Sequence, residues 1–248
     1  MPDDQKFREF YARESTVYEV RRYETRYGRL FRRLHHSVLS QTLAVISPEA
    51  RCIEVACGTG HTTRLLSQHF NALTACDLTP EMMLKNQQSI STNNVTYLRA
   101  NAFSLPFPDN SFDVLVSTRF LHLFPWHDQQ RLFREFNRVL VPGGRLLIDF
   151  DNIVARWMYA IPHVLYNLLR YQRLAPFSIY NLPGRTRSEI RQMGFDELTV
   201  QGIGGWHLLL PALVSERAAF TAGLLHRHRP LLYLAEQFLI TGIKRSVA

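Results

Sequence analysis

Between Arg51 and Phe150 the chain alternates short apolar runs with amphipathic stretches. Cys52, Ile53, Val55 and Ala56 suit a short buried strand. Ala72–Asp77, Val95–Ala100, Val114–Thr118 and Arg145–Phe150 read as four more. Between them, Leu65, Leu66 and Phe70 give His61–Phe70 a helical face, and Leu132, Phe133, Phe136, Val139 and Leu140 do the same for Asp128–Leu140. Thr79 caps and Pro80 opens a further helix that runs to about Ile90. Strand and helix in alternation predict an α/β fold with a parallel sheet. Outside this core, Asp3–Ser47 predicts two helical pieces, the second with Tyr27, Leu30, Phe31, Leu34 and Val38 on one face. Later come an apolar aromatic helix over Ile153–Arg173, a short helix at Thr186–Met193 and a sixth strand at Phe195–Ile203. A mostly apolar segment, His207–Arg229, and a last strand, Phe238–Ile243, complete the chain.

With 248 residues, 46% of them hydrophobic, the chain is long enough for one large domain with a sizeable core. No apolar run is long and uncharged enough for a transmembrane helix, and the first residues carry no secretory signal. Cys52, Cys57 and Cys76 form no Cys-x-x-Cys or Cys/His zinc spacing, so no metal site is expected. Reduced thiols in a cytoplasmic protein are the simplest account. The net charge of +8 allows nucleic acid, an anionic membrane surface or an acidic substrate as partner, or a merely solvated basic surface. Arg22, Arg26, Arg29 and Arg33 lie beside the apolar stripe of the N-terminal helix. They suit a docked helix with a solvated face, or else contact with lipid headgroups. The basic run His226–Arg229 suits a phosphate contact or a plain helix end.

The chemistry concentrates at Glu54-Val-Ala-Cys-Gly-Thr-Gly-His. Strand, glycine turn, helix is how a doubly wound sheet receives a nucleotide-like ligand. Glu54 is the exception in that strand, since a carboxylate in an apolar run costs energy unless it has a polar task. Asp77, at the end of the second strand about 20 positions on, is placed to grip a ribose. The dinucleotide pattern Gly-x-Gly-x-x-Gly fails, because Ala56 and Thr63 stand at its first and third glycines.

The stretch resembles instead motif I of class I S-adenosylmethionine (SAM) methyltransferases, Glu/Asp-x-Gly-x-Gly-x-Gly. Glu54, Gly58 and Gly60 match, and Ala56 departs at the first glycine. Asp77-Leu-Thr-Pro-Glu-Met-Met is similar to the family's second motif. Asn101-Ala-Phe with Leu105-Pro-Phe-Pro-Asp-Asn-Ser-Phe-Asp113 is similar to its third, with Asn101 where an aspartate is usual. Leu140-Val-Pro-Gly-Gly-Arg-Leu is similar to the entry to its fifth strand. The resemblance covers roughly residues 51–150 and points to the type 11 methyltransferases that modify quinones, lipids and natural products.

The resemblance implies a doubly wound, mostly parallel seven-stranded sheet of order 3-2-1-4-5-7-6 with the last strand antiparallel. It implies one methyltransferase domain over residues 1–248. Residues 1–47 would be a helical lid, 48–150 the SAM-binding core, and 151–248 the acceptor-side helices and remaining strands. SAM is the implied cofactor. Its expected contacts are Glu54 on the methionine amino group or a bound water, Ala56, Gly58 and Gly60 in the turn, and Asp77 on the ribose. Leu78, Met82, Ala102 and Phe103 would wall the adenine, Asn101 would accept from its amino group, and Thr118 would close the edge. His122 is the candidate general base, or else a satisfied structural histidine. Arg119 orients an anionic substrate or pairs with a nearby carboxylate. Tyr18, Trp157, Trp206 and His207 are candidate acceptor contacts; Tyr11 and Tyr18 line the site or serve only as packing. The expected acceptor is a lipophilic or isoprenoid-like small molecule, drawn from a membrane surface in the lipid-contact reading of the basic helix. Two rivals are transfer to RNA or protein, and SAM binding without transfer. The chain shows no separate RNA-binding module and no Asn/Asp-Pro-Pro-Tyr/Phe run, which argues against nucleic acid as a partner. Nothing in the pattern fixes an oligomeric state.

Overall fold

The computed structural model describes residues 4–155, 181–204, 215, 220 and 229–246. Three helices open the chain: α1 (Asp4–Glu14), α2 (Tyr18–Tyr23) and α3 (Arg26–Leu43). The sequence pattern predicted two. The extra break comes at Thr25, whose hydroxyl accepts from Gly28 N at 2.9 Å and restarts the helix as its N-cap. Then follow β1 (Cys52–Val55), α4 (Thr63–His69), β2 (Leu73–Asp77), α5 (Pro80–Ser89), β3 (Val95–Arg99) and β4 (Phe112–Ser117). After a 3-10 turn at Leu121–Leu123 come α6 (Trp126–Val139), β5 (Leu140–Asp151), α7 (Pro183–Gln192), β6 (Phe195–Ile203) and β7 (Gln237–Lys244). β5 begins at Leu140, earlier than expected, because Val141–Gly144 continue the strand before the ladder with β4 resumes at Arg145. Thr79 occupies the N-cap of α5 without a side-chain cap bond; Asp77 Oδ1 accepts from its amide at 2.8 Å.

The seven strands form one sheet of order β3-β2-β1-β4-β5-β7-β6. β1 through β5 are parallel, and β7 runs antiparallel to both β5 and β6. A parallel sheet needs both faces covered, and the central strands β1 and β4 are buried along almost their whole length. One face packs against Leu132, Phe133, Phe136 and Val139 of α6 and Ile190 of α7. The other receives Leu30, Phe31, Leu34, Val38 and Leu39 of α3, against Val114, Val116, Leu147 and Leu239. Full burial of each such side chain contributes about 1.5–3 kcal/mol. The apolar stripe of α3 is therefore used on the sheet, while Arg22, Arg26, Arg29 and Arg33 are exposed. This is a docked helix with a solvated face. Among the described residues no helix is long and apolar enough to cross a membrane.

Candidate functional site

Strand order reverses between β1 and β4, so the chain leaves a crevice at their carboxyl ends. A cavity opens there with about 1110 Å³ of empty space, mouth included. The β1–α4 turn forms its floor. Gly58 has φ +51°, and a Cβ built on it would meet nothing within 4 Å, so its backbone faces open space. Asp77 accepts from Gly58 N at 2.9 Å through Oδ2, which locks the turn against the end of β2. Burial pushes the Asp77 carboxyl up, and its bonds with the Thr79 and Gly58 amides oppose that push.

Glu54 is 2% exposed, and its Oε2 has no partner. Burial pushes its carboxyl up to about 8; bonds from Thr63 pull it down and the charge of Asp77 adds to the rise. A cation brought beside this carboxyl would favour its ionised form and release its proton. Leu78, Met82, Ala102 and Phe103 line the cavity beside Asp77. Asn101 lines it too, and its Oδ1 accepts from Phe103 N at 3.0 Å, which leaves one lone pair for a ligand donor. Thr118 closes the other side, its hydroxyl 2.7 Å from that of Thr62.

The N-terminal helices α1 and α2 reach the same cavity. Tyr11, Tyr18 and Tyr23 line it, and Glu19 Oε1 of α2 accepts from the Thr59 hydroxyl at 2.5 Å. Tyr23 stacks on His61 with centroids 4.4 Å apart and planes within 3°. His61 also meets the rings of His35 and His36, and burial drives its pKa well below the usual value. Arg119 follows β4 with φ 57°, and its amide donates to Asp149 Oδ1 at 2.6 Å. Asp149, fully buried, places Oδ2 3.3 Å from His35 Nε2. Burial opposes the charge of Arg119, yet the surrounding tyrosines and the Asp151 and Asp149 carboxylates hold its pKa well above the ordinary value.

Of the residues expected from sequence, Glu54, Ala56, Gly58, Asp77, Leu78, Met82, Asn101, Ala102, Phe103, Thr118, Tyr18 and Arg119 all line this one cavity. Two expected residues do not line the cavity. Gly60 is not on the wall; with φ +95° it turns toward α5, where a Cβ would sit 2.5 Å from Asn86 Oδ1. Its bareness serves the packing of this turn on α5. His122 is not on the wall either. It lies in the 3-10 turn, 4% exposed, with burial lowering its pKa and Nδ1 unpartnered. Trp157, Trp206 and His207 lie outside the described residues. Sequence reading missed Tyr23 and His61. His61 borders the glycine turn and carried a positional signal; Tyr23 carried none, since its role depends on where α2 docks.

The residues present fit SAM: an orphaned carboxylate oxygen for its ammonium, an open glycine floor, an aspartate at the ribose position and apolar walls for the base. The fold and the residues of the cavity are similar to those of class I SAM-dependent methyltransferases. Residues 53–148 match the family model described as "Methyltransferase domain", of type 11. The chain is 32% identical over 142 residues to the malonyl-[acyl-carrier protein] O-methyltransferase of Herminiimonas arsenicoxydans, covering 56% of this chain and 51% of that protein. It is 34% identical over 108 residues to the ubiquinone/menaquinone biosynthesis C-methyltransferase UbiE of Shewanella sp. (strain W3-18-1), covering 41% of this chain and 42% of that protein. The chain thus spans about half the length of these curated relatives, or somewhat less. Its fold is shared with a Haloferax volcanii chain from a complex with the Trm112 methyltransferase activator, at TM-score 0.65, 17% identity and 98% of each chain covered.

Proposed function

We propose that this chain transfers a methyl group from SAM to an oxygen, carbon or nitrogen of a lipophilic small molecule. One observation carries the reading: a single cavity joins the cofactor groups Glu54 and Asp77 to an aromatic and apolar wall of Tyr11, Tyr18, Phe120, Leu123 and Phe124. SAM supplies an electrophilic methyl sulfonium when bound. The chain's own task is to hold that methyl in line with an acceptor and to exclude water, and positioning of this kind can supply about 7–11 kcal/mol. Residues 1–47 act as the lid: α2 bonds the turn through Glu19, and its tyrosines cover the opening. One relative is named for malonyl-[acyl-carrier protein] and the other for ubiquinone and menaquinone biosynthesis, and a quinone ring suits an apolar wall of this kind.

The experiment is partition of label. The protein is incubated with methyl-labelled SAM and a cell extract, and the product is separated into solvent-extractable, nucleic-acid and protein fractions. Label in the solvent phase, absent with Asp77→Ala, is the expected result. Label confined to RNA or protein would replace the small-molecule acceptor with a macromolecule. Tight binding of S-adenosylhomocysteine with no transfer to any fraction would leave a SAM-binding protein without transfer chemistry.

A further inference from the structure

Glu54 is held from behind by residues that do not reach the cavity. Thr63 opens α4, and both its hydroxyl and its amide bond the Glu54 carboxyl. Asn86 of α5 donates from Nδ2 to Thr63 Oγ1 at 2.8 Å. Tyr97 of β3 donates from its hydroxyl to Asn86 Oδ1 at 2.9 Å. Thr63 and Asn86 are fully buried, and Tyr97 is half-buried on the edge strand. Gly60 makes room for the chain, since a Cβ there would sit 2.5 Å from Asn86 Oδ1. Thr63, Asn86 and Tyr97 are all absent from the cavity wall. Any effect they have on a ligand must therefore pass through Glu54.

The chain runs one way. An amide nitrogen only donates and an amide oxygen only accepts. Asn86 thus occupies a lone pair of Thr63 Oγ1, and the single hydroxyl proton of Thr63 is left for Glu54. Burial, then the neighbouring Cys57 and Glu54, push the Tyr97 phenol up, so it keeps the proton it donates. Three side-chain donors in series end on one carboxyl. Each bond polarises the next, by about 10–30%. Donors aimed at a carboxyl favour its ionised form. No other group around Glu54 does so. Asp77 on β2 adds like charge. Burial keeps the Cys52, Cys57 and Cys76 thiols protonated. Among the described residues no cation pairs with Glu54, and its Oε2 has no partner.

We infer that Tyr97, Asn86 and Thr63 are positioning residues for the cofactor acid: their chain holds the Glu54 carboxyl in place and sets how readily it releases its proton to meet the ligand's ammonium. The ammonium rests on the methyltransferase reading, whereas the chain's hold on Glu54 rests on its own hydrogen bonds.

The test is the titration of Glu54 in the free protein, followed by 13C NMR of labelled glutamate carboxyls and assigned with Glu54→Gln. Thr63→Val keeps the side chain's shape and loses the donor, so the midpoint should rise from about 8 by about one pH unit. Thr63→Ser restores the hydroxyl and should return it. Tyr97→Phe acts from two bonds further out and should raise the midpoint by about 0.1–0.3 of a pH unit. An unmoved midpoint in Thr63→Val overturns the inference. Should that variant fail to fold, Tyr97→Phe decides, and an unmoved midpoint there overturns it equally. Calorimetry with S-adenosylhomocysteine reads the consequence. Thr63→Val should bind about tenfold more weakly than wild type at pH 7 but only about twofold more weakly at pH 9, where ionisation no longer depends on the chain. An equal loss at both pH values would make Thr63 a structural residue only and sink its part in binding. A midpoint that moves while affinity for S-adenosylhomocysteine does not upholds the chain and defeats instead the pairing of Glu54 with an ammonium.

Discussion

The two sides of the cavity are built by different means. On the β2 side the functional atoms come from contiguous stretches and are already satisfied: Asp77 accepts from Gly58 N and Thr79 N, and Asn101 from Phe103 N. On the β4 side they come from distant elements and are left unmet: Tyr23, His61 and Arg119 Nε lack partners. The first arrangement is a preformed turn that a ligand shares. The second is a desolvated gap lined by unmet polar groups. Bonds shared with the backbone make the β2 side rigid, whereas the β4 side depends on where α2 comes to rest.

The largest effect should come from Asp77→Ala. It removes the ribose acceptor and also strips Gly58 N and Thr79 N of their partner. Two charge-assisted bonds at about 1.5–3 kcal/mol each predict at least a hundredfold loss of S-adenosylhomocysteine affinity by calorimetry. A loss under tenfold would mean that Asp77 only braces the turn and that the contrast between the two sides is wrong.

Next in size is the pair Gly60→Ala and Gly58→Ala. At Gly60 the new Cβ would strike Asn86 Oδ1, and Asn86 is fully buried, donating to Thr63 Oγ1 at 2.8 Å and accepting from Tyr97 OH at 2.9 Å. Clash and left-handed strain together predict a loss of about 2–4 kcal/mol, or roughly 5–15 °C in Tm. At Gly58 the space is open, so only the strain remains, about 1 kcal/mol, and the damage should fall on ligand affinity. Equal melting temperatures for the two variants would show that Gly60 is as free as Gly58.

The sequence made the β2 side readable and the β4 side largely opaque, for a physical reason. Glu54, Gly58 and Asp77 belong to elements whose spacing is set by strand and turn geometry, so a local pattern carries them. The sheet order followed from family likeness over the same stretch. Tyr23 and His61 meet only after α2 and α3 dock, and no period in the sequence encodes that contact. His122 looked chemical because of its residue type, and the structure buries it in its 3-10 turn between the cavity-lining Phe120 and Leu123. Gly60 was expected to serve ligand approach, and Asn86 behind it makes a separate demand for a bare backbone.

The pH dependence of cofactor binding sharpens the Glu54 assignment. In the free protein burial raises its carboxyl to about 8, so near neutrality it carries a proton. Pairing with an ammonium favours the ionised form, so binding must release that proton. Affinity for S-adenosylhomocysteine should therefore rise with pH from 6 toward 8, by up to about tenfold per unit, and level above 8. 5′-Methylthioadenosine, with no ammonium, should show no such slope, and Glu54→Gln should abolish it. An equal slope for both nucleosides would remove Glu54 from the ammonium.

The smallest effect separates strain that serves a ligand from strain that does not. Each side of β1 carries one non-glycine residue in the left-handed region: Ala56 with φ 63° and Arg119 with φ 57°. That conformation costs about 1–2 kcal/mol with a Cβ present, and glycine's greater freedom in the unfolded chain returns about 0.5–1. Ala56→Gly should thus stabilise the protein by about 0.5–1 kcal/mol, a rise of roughly 1–4 °C in Tm, with S-adenosylhomocysteine binding unchanged or tighter. Arg119→Gly relieves the same strain and should gain similar stability, yet it removes the guanidinium from the cavity wall and should weaken ligand binding. The two variants share a stability gain and differ in binding, and that difference is the measurement. A fall in Tm for Ala56→Gly would show that its methyl group packs usefully in the turn, and the strain at β1 would then no longer be a cost without return.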